Sequence, residues 1–152
     1  MACDASRAAE ARRRARARGD GDDQALGITL LSELSTRDRR AVVGTWLGRA
    51  HWGTGANTEA KAMIAELAFG RLGLERLSAY CDPLNVRSQR ALEKLSFRRE
   101  GVLREFHRHR DTPHDVVVYG LLRLEWQASA LATMPVCITG EAPDAWRTLH
   151  HD

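Results

Sequence analysis

The sequence predicts a mixed α/β (α+β) domain, and three observations carry the prediction. Two segments with apolar residues at helical spacing, 58–72 and 86–95, stand between shorter runs that read as strands. That order fits helices laid on a mixed sheet. A glycine-rich stretch, His51-Trp52-Gly53-Thr54-Gly55-Ala56-Asn57-Thr58-Glu59-Ala60, opens the first helical segment. The 152 residues suit one domain, and an apolar fraction of 43% is enough for a core.

Residues 1–25 are almost entirely Ala, Arg, Gly and Asp. Met1 and Cys3 apart, they hold no bulky apolar side chain, so a solvated, disordered tail is expected. Six Arg against Asp4 and Glu10 make residues 1–19 net +4, which leaves −1 for the rest of a chain whose total is +3. The basic balance therefore reports the tail and not a basic working face. A nucleic-acid-binding arm is the rival reading of the tail, weakened by the lack of interleaved aromatics. The start has no apolar stretch of a secretory signal, and no run reaches the roughly 18 apolar residues of a membrane span. Asp4, Glu10 and the acidic 20–23 stretch argue against a transit peptide. Cys3, Cys81 and Cys137 are odd in number and lack metal-ligand spacing, which reads as a reducing, cytoplasmic setting.

The body begins at Leu26. Residues 26–34 and 41–47 read as strands joined by the polar turn 35–40. Helix 58–72 repeats Ala60, Met63, Ile64, Leu67, Ala68 and Leu72 on one side, with Gly73 as the residue past its end. Residues 76–81 form a strand with Leu77, Ala79 and Cys81 on one face. Asn85 is placed to cap helix 86–95. Strands 101–107 and 116–124 read as a hairpin turning through Asp111-Thr112-Pro113. Residues 127–152 lack a clear period and are expected to form a loosely attached tail.

The glycine loop has two readings. Gly lets the backbone turn sharply and approach a ligand closely, and the first N–H groups of a helix have no internal partner. With the positive end of the helix dipole, such a loop cradles phosphate. A bare G-x-G is also found in plain tight turns. It is not a nucleotide P-loop, because no Gly-Lys-Ser/Thr follows, and it lacks the third glycine of a dinucleotide fingerprint.

Residues downstream decide between the two. The run Asn85-Val86-Arg87-Ser88-Gln89-Arg90-Ala91-Leu92-Glu93-Lys94-Leu95-Ser96-Phe97 is followed by Arg99-Glu100-Gly101-Val102-Leu103-Arg104, by His114-Asp115, and by residues 119–126. In this order and spacing, over residues 26–126, the chain resembles the GNAT N-acetyltransferases, and within them the ribosomal-protein N-terminal acetyltransferases of RimJ/RimL type. The resemblance implies a mostly antiparallel sheet with a central pair of parallel strands, 41–47 and 76–81, that splay to admit acetyl-CoA. It implies no metal, and an amine acceptor that is a protein N-terminus or a small molecule.

The same resemblance implies the site residues. The pyrophosphate meets backbone N–H groups of Trp52, Gly53, Thr54, Gly55, Ala56 and Asn57. The strand end at Trp46 and Leu47 contacts the cofactor and supplies backbone donors for the oxyanion. Asn85 contacts the pantetheine arm. Ser88 protonates the departing thiolate, since the Tyr that many relatives place one turn later is Leu92 here. His107 stands where the branch has a carboxylate and is the candidate base. Read without the family, Ser88 is a helix-start residue bonding the backbone, Asn85 a plain cap, and His107 a surface residue of a hairpin. His107, His109, His114 and Asp115 also raise a metal site, which no Cys or carboxylate spacing reinforces.

Four departures accompany the resemblance. Ala50 stands where the fuller motif has Gln or Arg, Val42 where a Glu is frequent, and Ser96 where the family has Gly. The first two remove a phosphate contact and a carboxylate, and Ser96 is accommodated if its φ is negative. The fourth is that the family's domain begins with a strand and two helices that wall the acceptor site, and residues 1–25 cannot form buried helices. The chain is therefore expected to keep the cofactor half, to lack much of the acceptor half, and to self-associate, a homodimer being the simplest outcome. A non-catalytic acyl-CoA-binding remnant is the rival function.

Overall fold

The computed structural model describes residues 25–138. The expectations for the Arg-rich segment up to residue 24 and for residues 139–152 lie outside the described residues.

Strands β1 (Gly27–Ser35) and β2 (Arg40–Leu47) pair antiparallel from Gly27↔Leu47 to Ser35↔Arg40. Their turn is held by Ser35, whose hydroxyl donates to Asp38 Oδ2 and accepts the Asp38 N–H. Strand β3 (Arg76–Cys81) runs parallel to β2 over three pairs only, Arg40↔Arg76, Ala41↔Leu77 and Val42↔Ser78. Beyond Val42 the two strands part. Strands β4 (Arg98–His109) and β5 (Thr112–Leu122) complete a five-stranded sheet in the order β1-β2-β3-β5-β4, antiparallel except at β2–β3. The expected fold class and the splayed pair are both present.

Helix α1 (Ala56–Ala65) continues as a π-helical segment, Glu66–Arg71, so the predicted helix 58–72 is one element with a widened end. Widening lets the sequence neighbours Ala68 and Phe69 both reach 0% exposure. Gly73 follows at φ +65. Helix α2 (Val86–Lys94) is capped as expected: Asn85 Oδ1 accepts the Ser88 N–H at 3.1 Å. Its C-terminal end corrects the reading of Ser96. The Phe97 N–H returns to the Leu92 carbonyl at 3.1 Å, which requires a left-handed residue between them, and Ser96 has φ +69. The accommodation by a negative φ does not occur.

The hairpin is longer than predicted and turns at Arg110-Asp111 rather than at 111–113. Thr112 and Pro113 already pair with His109 and Arg108, a position at the start of a strand that Pro tolerates. Strand β5 stops at Leu122 because Arg123–Gln127 forms a short helix, α3. Of the residues after 126, expected to be loosely attached, the described ones include two that reach the core, just beyond Trp126. Trp126 stacks on Phe69 with centroids 5.2 Å apart, and Ser129 and Leu131 are buried.

All three helices pack on one sheet face, that of Leu31, Ala41, Val43, Leu77, Ala79, Val117, Tyr119 and Leu121. Tyr119 donates to Glu93 of α2 at 2.9 Å, and burial with this bond pushes the phenol up to about 12. The opposite face carries Ile28, Val42, Trp46, Ser78, Tyr80 and Val118. Among the described residues no helix lies on it.

Candidate active site

The site assembles where β2 and β3 part. In an antiparallel pair, hydrogen-bonded and non-hydrogen-bonded positions alternate. The Gly48 N–H bonds the Leu26 carbonyl at 2.9 Å, so Trp46, two residues earlier, also directs its peptide groups to β1. Leu47 therefore faces the gap, and Trp46 does not. The Trp46 side chain is 68% exposed on the open sheet face.

The loop after β2 is shaped by two left-handed glycines, Gly53 at φ +77 and Gly55 at φ +94, the latter capping α1. The Thr54 hydroxyl donates to the His51 carbonyl at 2.8 Å and so holds the turn. The Trp52 N–H is taken by the Arg49 carbonyl, and the Ala56 N–H leans on Thr54 Oγ1 at 3.5 Å. This narrows the expected cradle of 52–57. The N–H groups of Gly53, Thr54, Gly55 and Asn57 make no hydrogen bond among the described residues. A Cβ built on Gly53 or Gly55 meets nothing within 4 Å, so the space before the loop is open. Unpaired N–H groups at a helix start, facing open space, fit an anion such as a pyrophosphate.

Across the gap, the turn from β3 into α2 is tightly built. Asp82 Oδ1 accepts the Leu84 N–H at 2.7 Å, and the Gln89 amide donates to the Pro83 carbonyl at 2.8 Å. Ser88 is half-buried in the first turn of α2, with its hydroxyl beside the Cys81 thiol. Burial pushes that thiol up, the neighbouring Ser88 side chain partly offsets this, and the thiol itself donates to the Asp82 and Asn85 carbonyls at 3.6 and 3.7 Å. Leu92 is a core residue and offers no proton.

Tyr80, Cys81, His107, His114, Asp115 and Val116 line a cleft of about 420 Å³ on the open side of the sheet. A β-bulge brings His107 there. The register breaks between Leu103 and His107, Glu105 takes φ +51, and its N–H is held by Asp115 Oδ1 at 2.8 Å. His107 then lies edge-on to Tyr80 at 5.8 Å, with Phe106 against the same ring at 5.3 Å. Burial pushes the Tyr80 phenol up. Among the described residues no three His, Cys, Asp or Glu side chains gather as a metal ion needs.

Sequence reading did not single out Tyr80 or Arg87 for the site, and it named Asp115 only in the His114-Asp115 motif and in the metal alternative, not as the residue that holds the bulge. The Arg87 guanidinium lies 3.2 Å from the centroid of the Trp52 ring. Strand alternation would have put Tyr80 on the face of Val42 and Ser78. The other two depend on a bulge and on a contact between α2 and the loop, which no sequence period reveals.

A family model described as an acetyltransferase (GNAT) domain matches residues 5–98. The chain belongs to this family. The match extends N-terminal to the 26–126 over which the sequence motifs were recognised, and it stops where β4 begins. The uncharacterized N-acetyltransferase p20 of Bacillus licheniformis is 34% identical over 104 residues, which are 68% of this chain and 58% of that protein. RimJ of Mycobacterium smegmatis, solved in complex with CoA-disulfide, aligns with TM-score 0.67 at 25% identity over 72% of this chain and 53% of RimJ. A GCN5-related N-acetyltransferase from Brucella melitensis aligns with TM-score 0.65 at 26% identity over 72% and 49%. The chain spans a little over half the length of the first curated relatives it matches.

Proposed function

We propose that this GNAT chain transfers an acetyl group from acetyl-CoA to a primary amine, either a protein N-terminus or a small molecule. The observation that carries the reading is the row of unpaired N–H groups at Gly53, Thr54, Gly55 and Asn57, set beside the gap between β2 and β3. Acetyl-CoA supplies the acyl group as an activated thioester. The loop holds its pyrophosphate, and Asn85 borders its pantetheine arm. The Leu47 N–H, aimed into the gap, is the backbone donor for the developing oxyanion. Ser88 is the proton donor for the departing sulfur. His107 takes the proton from the amine, directly or through water, since an amine near pKa 8 to 10 must lose it to attack. The free thiols of Cys81 and Cys137 suit the cytoplasmic setting of this reading.

Calorimetry with CoA tests the donor site. The parent should bind and Gly55→Asp should not, because Asp adds a negative charge beside the pyrophosphate and strains a residue at φ +94. Unchanged CoA affinity in this variant would remove the assignment. In a thiol-release assay Ser88→Ala should slow turnover roughly 10²–10⁴-fold while CoA affinity holds, as expected for a proton donor. The backbone N–H that Asn85 caps is kept in this variant. Equal rates would reduce Ser88 to a helix-start residue. The non-catalytic acyl-CoA-binding reading is favoured instead if CoA binds and no amine of a broad panel is acetylated.

A further inference from the structure

We propose that Arg87 is a phosphate-binding residue of the acyl-CoA site, reaching it from the lip opposite the glycine loop. The inference rests on the donor-site reading above and adds a residue that nothing in that reading supplies. Ala50 brings no cation to the loop, and the four free N–H groups carry only partial charge. Arg87 belongs to the first turn of α2, which follows β3, whereas Trp52 belongs to the segment that follows β2. Their stack therefore spans the mouth of the gap between the parted strands.

Three features of the pair point to an anion. The Trp52 indole is fixed, since its Nε1–H donates to the Leu47 carbonyl at 3.1 Å. The Arg87 Cζ lies over that ring 3.2 Å from its centroid, with the Arg49 Cζ over the same ring at 5.7 Å. Stacking uses the face of a guanidinium and leaves its in-plane N–H donors available for a bidentate partner. Among the described residues the Arg87 side chain makes no ion pair and no hydrogen bond, its only polar contact being the Trp52 ring. Trp52 immediately precedes Gly53, the first residue with a free N–H. A cation held in advance at this position loses little side-chain entropy when a phosphate arrives. Two arginines gathered on one ring beside an anion cradle supply the full charges that the loop lacks.

The test is calorimetry of CoA with the parent chain, Arg87→Ala and Arg87→Lys, each across a salt series. Circular dichroism checks that the variants stay folded. Arg87→Ala should bind CoA roughly tenfold more weakly at low salt, the size of one charge-assisted contact. The gap to the parent should narrow as salt rises, because the lost contact is between charges. Arg87→Lys, which keeps the charge but loses the planar fork, should fall between the parent and Arg87→Ala and keep the parent's salt dependence. Parent-like binding by Arg87→Ala overturns the proposal. So does a loss that is the same at every salt concentration and is shared by Arg87→Lys, which would mean the stack only ties the two lips together. If the parent binds CoA no better than Gly55→Asp, the donor-site reading fails first and this inference falls with it.

Discussion

Ser96 holds φ +69 at the end of α2, a conformation that costs a residue with a Cβ about 1–2 kcal/mol relative to Gly. The Leu92–Phe97 backbone bond forces it, so the cost is carried at a point where the chain must leave the helix. Ser96→Gly should stabilise the fold by roughly 1 kcal/mol, less the extra entropy Gly brings to the unfolded chain, and raise the melting temperature by about 2–4 °C. Thermal unfolding of the two chains reads this directly. A variant that melts at or below the parent would show that the Ser hydroxyl or the unfolded-state term outweighs the backbone strain. The polar identity of Ser96 was visible in the sequence, but its sign of φ was not, because φ is set by which carbonyl the next N–H returns to.

Helix α1 carries a lysine on its buried side. Lys61 is 5% exposed, donates to Thr45 Oγ1 of β2, and burial lowers it from 10.5 to about 8. The helix period gives no warning, since Lys61 sits between Ala60 and Ala62, both also buried. Only the angle at which α1 crosses β1 and β2 decides that residue 61 points at the Thr29–Thr45 hydroxyl pair, whose oxygens are 2.9 Å apart. The folded state therefore binds fewer protons than the unfolded chain between about pH 8 and 10.5. Stability contributed by this group is lowest below pH 8 and rises through that window. Lys61→Met, which keeps the length and drops the charge, should stabilise the protein at neutral pH. The ceiling on that gain is about 3 kcal/mol, the free-energy equivalent of lowering the ammonium from 10.5 to about 8. Urea unfolding at about pH 7 and about pH 9.5 should show the parent gaining stability and the variant gaining none from this source. An equal pH response in both chains would place the source elsewhere.

At the scale of the molecule, the sheet is covered unequally. Among the described residues, helices α1, α2 and α3 bury one face, while the other exposes Ile28, Trp46 and Phe106 around the Tyr80–His107 cleft. The acceptor amine would have to be held on this open side. Positioning two reactants contributes about 7–11 kcal/mol to lowering a barrier, so a weakly walled acceptor side should limit turnover more than it limits cofactor binding. The 152-residue chain is expected to bind CoA, to acetylate amines slowly, and to self-associate through the open apolar face. Thiol release with a panel of N-terminal peptides and small amines, beside sedimentation of the parent and Trp46→Lys, separates these outcomes. Rapid turnover by a monomer would show that the acceptor side is complete as it stands.

The sequence by itself determined the strands, the two main helices, the Asn85 cap, the glycine loop and, through its motifs, the family. These are readable because each rests on local chemistry: side-chain period, a cap three residues from its N–H, a backbone that needs Gly. Tertiary structure alone decided that Leu47 and not Trp46 faces the gap. It also decided that Trp126, Ser129 and Leu131 are buried and that a bulge held by Asp115 turns His107 toward Tyr80. Each of these depends on which distant strand a backbone group pairs with, or on how helix and sheet surfaces meet. Contacts of that kind are fixed by packing between segments far apart in the chain, and no window of the sequence contains both sides of them.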